Sequence, residues 1–151
     1  MRRVVTGHTP DGKSTIASDT DVNTITVRKP SGEELFRACT PWETNEMPVF
    51  PNDGSPPQLK PRPQFPPVGG FRFGTLTFPP HTHEIGGMHR TGTIDLFYII
   101  SGEVWLELDD GKEVQLKAGD TLIQNGTHHT WHNKSSEPCV SVGCMIGVHR
   151  K

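Results

Sequence analysis

The chain has 151 residues, enough for one domain with a sizeable core. A formal net charge of −2 and a pI near 6.4 give no reason to expect nucleic acid or an anionic membrane surface as partner. No apolar run approaches the roughly 18 residues of a membrane-spanning helix.

The opening "MRRVVTGHTPDG" has two arginines but no apolar h-region, so no secretory signal is expected. Within it, "GHTPDGKS" (7–14) fits the phosphate-binding pattern G-x-x-x-x-G-K-[ST]. Such a loop needs a buried strand before it and a helix after it. Here the upstream strand would be only "RVV", and the downstream "TIASDTDVNTITV" has no helical apolar spacing. "TPDG" (9–12) reads instead as a tight turn, with Pro10 fixing φ and Gly12 taking a positive φ. Nucleotide binding is not expected.

Residues 1–45 read as an irregular N-terminal arm with two short strands, 24–28 and 34–39. Trp42 in "PWET" is expected to plug one end of the core. The stretch "PVFPNDGSPPQLKPRPQFPP" (48–67) is a proline-rich connection. Residues 1–70 thus form an arm and connector packing on a barrel at 71–151. There "FRFGTLTF" (71–78) alternates as a half-buried strand does, "LFYII" (96–100) is a short apolar run, and "EVWLEL" (103–108) alternates again. "DDGK" (109–112) is an Asp-Gly hairpin turn. "EVQL", "TLIQ" and "PCVSVGCMIGV" supply three more strands. With 16 glycines and 14 prolines as punctuation, the fold class is all-β, a sandwich or closed barrel.

The three cysteines, Cys39, Cys139 and Cys144, are odd in number and lack C-x-x-C spacing. They are expected to be buried, reduced thiols, with the cytoplasm as default location.

Six of the eight histidines lie between His81 and His132. Histidine with carboxylate is the common ligand set for iron, manganese, zinc and nickel. Around them the chain, from about Phe71 to Val148, resembles the small single-domain cupins. The first cupin motif, G-x5-H-x-H-x3-4-E-x6-G, finds its spacing in His89, Asp95 and Gly102. The second, G-x5-P-x-G-x2-H-x3-N, finds it in Gly119, Gly126, His129 and Asn133, with one residue fewer before Gly126 and Gln124 in place of proline. "GHTPDGKS" and "PWET" are similar to a subgroup of the same proteins. The resemblance implies a double-stranded β-helix, or jelly-roll barrel, with an irregular N-terminal arm. It also implies a divalent metal ion, a small-molecule substrate and a homodimer, commonly formed by strand exchange in which the arm would serve.

The departures are informative. Thr91 stands where the second histidine belongs, and Asp95 replaces glutamate. His89, Asp95 and His129 remain as metal ligands, with Thr91 placed to hold a metal-bound water. Six extended residues span about 20 Å, so the chain must turn between His89 and Asp95, near Gly92. Period-2 alternation puts His129, Trp131 and Asn133 on one face and His128, Thr130 and His132 on the other. Phe97 shares the parity of Asp95. Phe97, Trp105, Gln124, Trp131 and Asn133 are candidate pocket residues for substrate. His83 or His132 is a candidate proton carrier, and His83 a candidate fourth ligand; the alternative for His81 and His83 is a polar surface loop. The chemistry expected is a metal-dependent lyase or isomerase, with an iron(II) dioxygenase and a metal-free binding protein as alternatives.

Overall fold

Alternating burial along each strand decides how this chain folds. In the computed structural model, which describes residues 1–60 and 62–149, twelve strands are formed. They are β1 (Arg2–His8), β2 (Ser14–Asp21), β3 (Ile25–Arg28), β4 (Glu34–Thr44), β5 (Phe71–Phe78) and β6 (Thr82–His89). There follow β7 (Thr93–Ser101), β8 (Glu103–Leu108), β9 (Glu113–Lys117), β10 (Thr121–Gln124), β11 (His129–Asn133) and β12 (Cys139–Gly147). One sheet runs β10-β7-β12-β5-β4-β3, a second runs β6-β11-β8-β9, and β1-β2 is a separate hairpin. All the strand pairs are antiparallel.

The two larger sheets face each other across one core. Phe78, Ile99 and Cys139 come from the six-stranded sheet; Ile85, Val104, Leu106, Leu116 and Trp131 come from the four-stranded one. Phe78 and Trp131 stack across the gap with ring centroids 5.5 Å apart. Each fully buried side chain of this size contributes about 1.5–3 kcal/mol. The result is the expected jelly-roll barrel. No helix is long and apolar enough to cross a membrane among the described residues.

Asp110 (φ 61°) and Gly111 (φ 67°) both take positive φ between β8 and β9. That is the two-residue hairpin turn whose twist matches its strands, as "DDGK" predicts. "TPDG" likewise turns, Gly12 N–H donating to Thr9 O at 2.8 Å, and it joins β1 to β2. No helix follows Lys13, so the phosphate-loop context is absent.

Three expectations are corrected. The N-terminal segment is not irregular: residues 1–44 carry four strands, two of which extend the six-stranded sheet. Sequence periodicity there is weak because the β1-β2 hairpin is mostly exposed on both faces. Trp42 does not plug the core. It pairs with Phe73 on the outer face of the sheet, under the guanidinium of Arg3, 6.0 Å from its ring centroid. Third, "HTHEIGGMH" divides: His81 lies in an exposed turn, as the surface-loop reading has it, whereas Thr82–His89 is a strand, β6, with His83 exposed on it. Its glycines read as punctuation, yet pairing with β11 holds it in the sheet.

Candidate functional site

The histidine pair is assembled by strand irregularity. On β6 the chain takes seven steps from Thr82 to His89, while its partners on β11, Asn133 to His129, take four. The surplus is absorbed in bulges where Glu84, Gly86 and Gly87 adopt positive φ. His89 and His129 thereby become cross-strand neighbours with ring centroids 4.5 Å apart. His129 is 3% exposed, and its ring meets Trp131 edge-on at 6.1 Å.

Hydrogen bonds fix the tautomer of both rings. Nδ1 of His89 lies 2.8 Å from Gly87 O, and Nδ1 of His129 lies 2.9 Å from Thr127 O. A carbonyl only accepts, so each Nδ1 carries the proton and each Nε2 keeps a free lone pair. Burial pushes the His129 imidazole below its ordinary range; the Thr127 carbonyl opposes this, while His89 and His128 reinforce it.

The facing sheet contributes an inner row that crosses five strands, Glu43, Arg72, Met145, Asp95 and Gln124. Asp95 is 3% exposed and its Oδ1 has no hydrogen-bond partner; Gln124 Nε2 beside it is also buried and unpartnered. Burial pushes the Asp95 carboxyl up, partly offset by the Thr93 hydroxyl and by His89. Arg72 is held for structure: its Nη groups donate to Thr44 O, Phe71 O and Asn45 Oδ1, and its Nε lies 3.0 Å from Glu43 Oε2. Thr91 is buried, and its Oγ1 accepts from Thr93 Oγ1 at 2.7 Å. Phe97 and Trp131 meet edge-on at 6.2 Å on the core side.

Residues 74–143 match the family described as "Cupin domain". These residues form a cupin domain. Along 134 residues the chain is 31% identical to the "Cupin-domain-containing oxidoreductase virC" of Hypocrea virens, covering 87% of this chain and 66% of that one. Over 48 residues it is 48% identical to "Phomopsin biosynthesis cluster protein C'" of Diaporthe leptostromiformis, covering 32% of this chain and 25% of the other. The chain thus spans about a quarter of the length of the second relative and just under two thirds of the first. The crystal structure of a predicted oxalate decarboxylase from Thermotoga maritima shares the fold, with a TM-score of 0.55 at 18% identity, covering 85% of this chain and 95% of that one.

In this cupin the predicted residues divide between two places. His89, Asp95, His129, Gln124, Phe97, Trp131 and Thr91 belong to the inner site. His83, His132 and Trp105 do not. On β11, His132 points away from the core, where it is 6% exposed and pairs through Nε2 with Glu107 Oε2 at 2.8 Å. The His83 ring is 5.7 Å from it. Trp105 pairs with His132 in register and lies under the ammonium of Lys134. Neither histidine is therefore placed to move a proton at the inner site, and Trp105 is no wall of it. Asn133 does point inward, but its amide is spent on structure. Nδ2 donates to Phe78 O and Glu137 O, while Oδ1 accepts from the amide and hydroxyl of Ser135. It ties off the turn after β11 and has nothing left for a substrate.

The outer cluster also tests metal chemistry. Among the described residues, Glu107, Glu113 and His132 bring donor atoms within 4.8 Å of one another, a gathering that His89, Asp95 and His129 do not match. Yet Glu84 N–H donates to His132 Nδ1 at 3.2 Å, which puts the proton on Nε2, the nitrogen facing Glu107. Lys134 meanwhile binds both oxygens of Glu113, at 2.6 and 2.7 Å. That cluster is a hydrogen-bonded network without a free imidazole lone pair. The inner pair is the donor set that suits a metal, with Asp95 facing it across the barrel.

Phe65 was not anticipated. From the proline-rich connection it lies over His89, rings 6.5 Å apart and 22° from parallel. Nothing in the sequence distinguishes this phenylalanine from the rest of its segment. Thr93, by contrast, is legible in hindsight: it shares strand parity with Asp95 and Phe97.

Proposed function

We propose that this cupin is a metal-dependent enzyme acting on a small oxygenated organic molecule, with His89, His129 and Asp95 as the donors for a divalent ion. The observation that supports this most is the tautomer of the two histidines: both Nδ1–H groups are committed to backbone carbonyls, so both Nε2 lone pairs are available. Two imidazoles and a carboxylate suit iron, manganese, zinc or nickel. Such an ion supplies Lewis-acid polarisation or, as iron(II), open positions for oxygen and a chelating substrate.

The chain's own residues supply the rest. Phe97, Trp131 and Phe65 exclude water. Gln124 Nε2 offers a buried, unpartnered donor to a substrate oxygen. The Thr91–Thr93 hydroxyl pair sits at the start of β7, beside the Asp95 carboxyl. Oxidoreductase chemistry is the first reading, because the relative aligned along 87% of the chain carries that name. Lyase or isomerase chemistry is the second, favoured by Gln124 Nε2, a buried donor without a partner that would hydrogen-bond a developing enediolate oxygen while the ion acted as Lewis acid. A cytoplasmic location belongs to the same proposal and rests on three free cysteines.

Elemental analysis of untagged protein supplied with these metals tests it. About one ion per chain is expected, lost in His89→Ala and in His129→Ala. Wild-type protein that binds no ion, or variants that keep it, overturn the reading and leave a metal-free binding protein. Oxygen uptake on a panel of small hydroxy and keto acids selects the redox reading, and turnover without uptake selects the other.

A further inference from the structure

The first of the two bulges on β6 is held from the outer face of its sheet. Between the paired positions Thr82 and Ile85 the strand takes three steps, while β11 takes two, from Asn133 to Trp131. Glu84 absorbs the surplus at φ 50°, a conformation that L side chains rarely adopt. The second bulge, before His89, turns on Gly86 and Gly87, for which positive φ carries no steric cost. Strain thus falls on Glu84, and there the backbone has a side-chain partner: its N–H donates to His132 Nδ1 at 3.2 Å. Register at this point decides what reaches the inner site. A slip of one residue would turn Ile85 out of the core, where it is 3% exposed, and His89 away from His129.

His132 suits such a pin. It is buried on β11, between β6 and β8, and its Nε2–H donates to Glu107 Oε2 at 2.8 Å. A neutral imidazole accepts at one nitrogen and donates at the other, so one ring joins β8 to the bulge of β6. An imidazolium donates at both and has no lone pair for the Glu84 N–H. The charged and titratable groups around the ring are His83 and Glu84 on β6, Glu107 on β8, Glu113 on β9 and Lys134 just beyond β11. Glu107 accepts from the ring in either state, so protonation breaks the bond to β6 and spares the bond to β8.

We propose that His132 is a positioning residue for His89: it sets the β6 bulge from the face opposite the inner site, and acid releases that bulge by protonating it. Its bearing on a bound ion rests on the reading of His89, His129 and Asp95 as ligands; its hold on the bulge does not.

Hydrogen exchange of metal-free protein, followed at single amides by NMR and expressed as protection factors, tests the hold. From about pH 7.5 to about pH 5.5, across the ordinary histidine range, the Glu84 amide of wild type is expected to lose at least about tenfold in protection, while Val142 on β12 keeps its own. In His132→Asn, whose amide oxygen accepts without titrating, that loss shrinks to under about threefold. In His132→Phe, a ring without an acceptor, Glu84 is poorly protected at both pH values. Chelator competition at about pH 7.5 reads the consequence: His132→Phe weakens ion binding about tenfold or more, and His132→Asn about threefold or less. Wild-type protection at Glu84 that ignores pH, a loss on acidification as large in His132→Asn, or full ion affinity in His132→Phe overturns the proposal. Wild type that binds no ion overturns the metal reading alone, and the exchange result then decides this one.

Discussion

Asp95 carries an unsatisfied oxygen inside a sheet, and that has a measurable cost in the metal-free protein. Its folded-state pKa lies above the ordinary 3.8, so between those values the native state holds more protons than the unfolded one. Stability from this group is present at low pH and is lost as pH rises through the folded pKa. Asp95→Asn removes the buried charge. In chelator-treated protein it is expected to be more stable than wild type at pH 7, by about 1 kcal/mol or more, with the advantage shrinking toward pH 4. Urea melts at both pH values check this; a destabilised variant at pH 7 would refute it. His129 acts in the opposite sense: its lowered pKa makes stability fall as pH drops below about 6.5. Asn133 behaves differently again. With its amide bound to Phe78, Glu137 and Ser135 and no exposed surface, Asn133→Ala is expected to lose about 2–4 kcal/mol in the same melts while metal binding per folded chain persists. Both residues match the motif spacing; only their partners distinguish a site residue from a turn tie.

The strap between β4 and β5 is fastened at several points, among them His8 N–H of β1, which donates to Asn52 O at 2.7 Å. Arg62 Nε donates to Glu43 Oε1 at 2.7 Å, and Gly69 N–H donates to Gly147 O at 3.1 Å. Gly147 is bare because Pro67 O approaches it: a Cβ there would lie 1.8 Å from that oxygen. Gly147→Ala therefore has to push the strap off the barrel and Phe65 away from His89. The expected result is at least about tenfold faster hydrogen exchange at Gly69 and Gly70, with a loss of about 1–3 kcal/mol. Unchanged exchange at these amides would show that the strap is held elsewhere. A second glycine works on the inner face. A Cβ on Gly143 would fall 2.2 Å from Phe97 Cδ1, so the missing side chain is what lets Phe97 lie across β12.

Across the whole molecule, the hairpin at residues 1–21 is an addition to the barrel that reaches β4 of the outer sheet through Arg3, over Trp42 and bonded to Pro41 O. A chain lacking residues 1–22, the hairpin and the Val22 whose carbonyl faces Cys39 Sγ, should keep both larger sheets, since neither β1 nor β2 pairs with them. Cys39, now 2% exposed, should then react with a thiol reagent within minutes instead of being protected. Cys139 should stay inert in both forms, being 0% exposed and pushed up to about 11, first by burial and then by Glu103. Protection of Cys39 in the shortened chain would mean that other segments cover it.

Most of the barrel was legible in the sequence because its strands alternate. The ranges 71–78, 103–108 and 121–124 coincide with β5, β8 and β10, and the inward parity of His129, Trp131, Phe97 and Asp95 follows from the same period. Parity also sends His132 outward, against its candidacy as a proton carrier. The sequence could not reveal β6, whose glycines resemble a loop and whose bulges set His89 opposite His129. Nor could it reveal the tautomers, which depend on carbonyls two residues back along the chain, or Phe65, brought over His89 by a connector with no periodicity of its own. Alternation is local and survives in the linear chain; ring-to-ring placement, proton position and the cover over the site are set by partners from other strands, and only the folded chain supplies those.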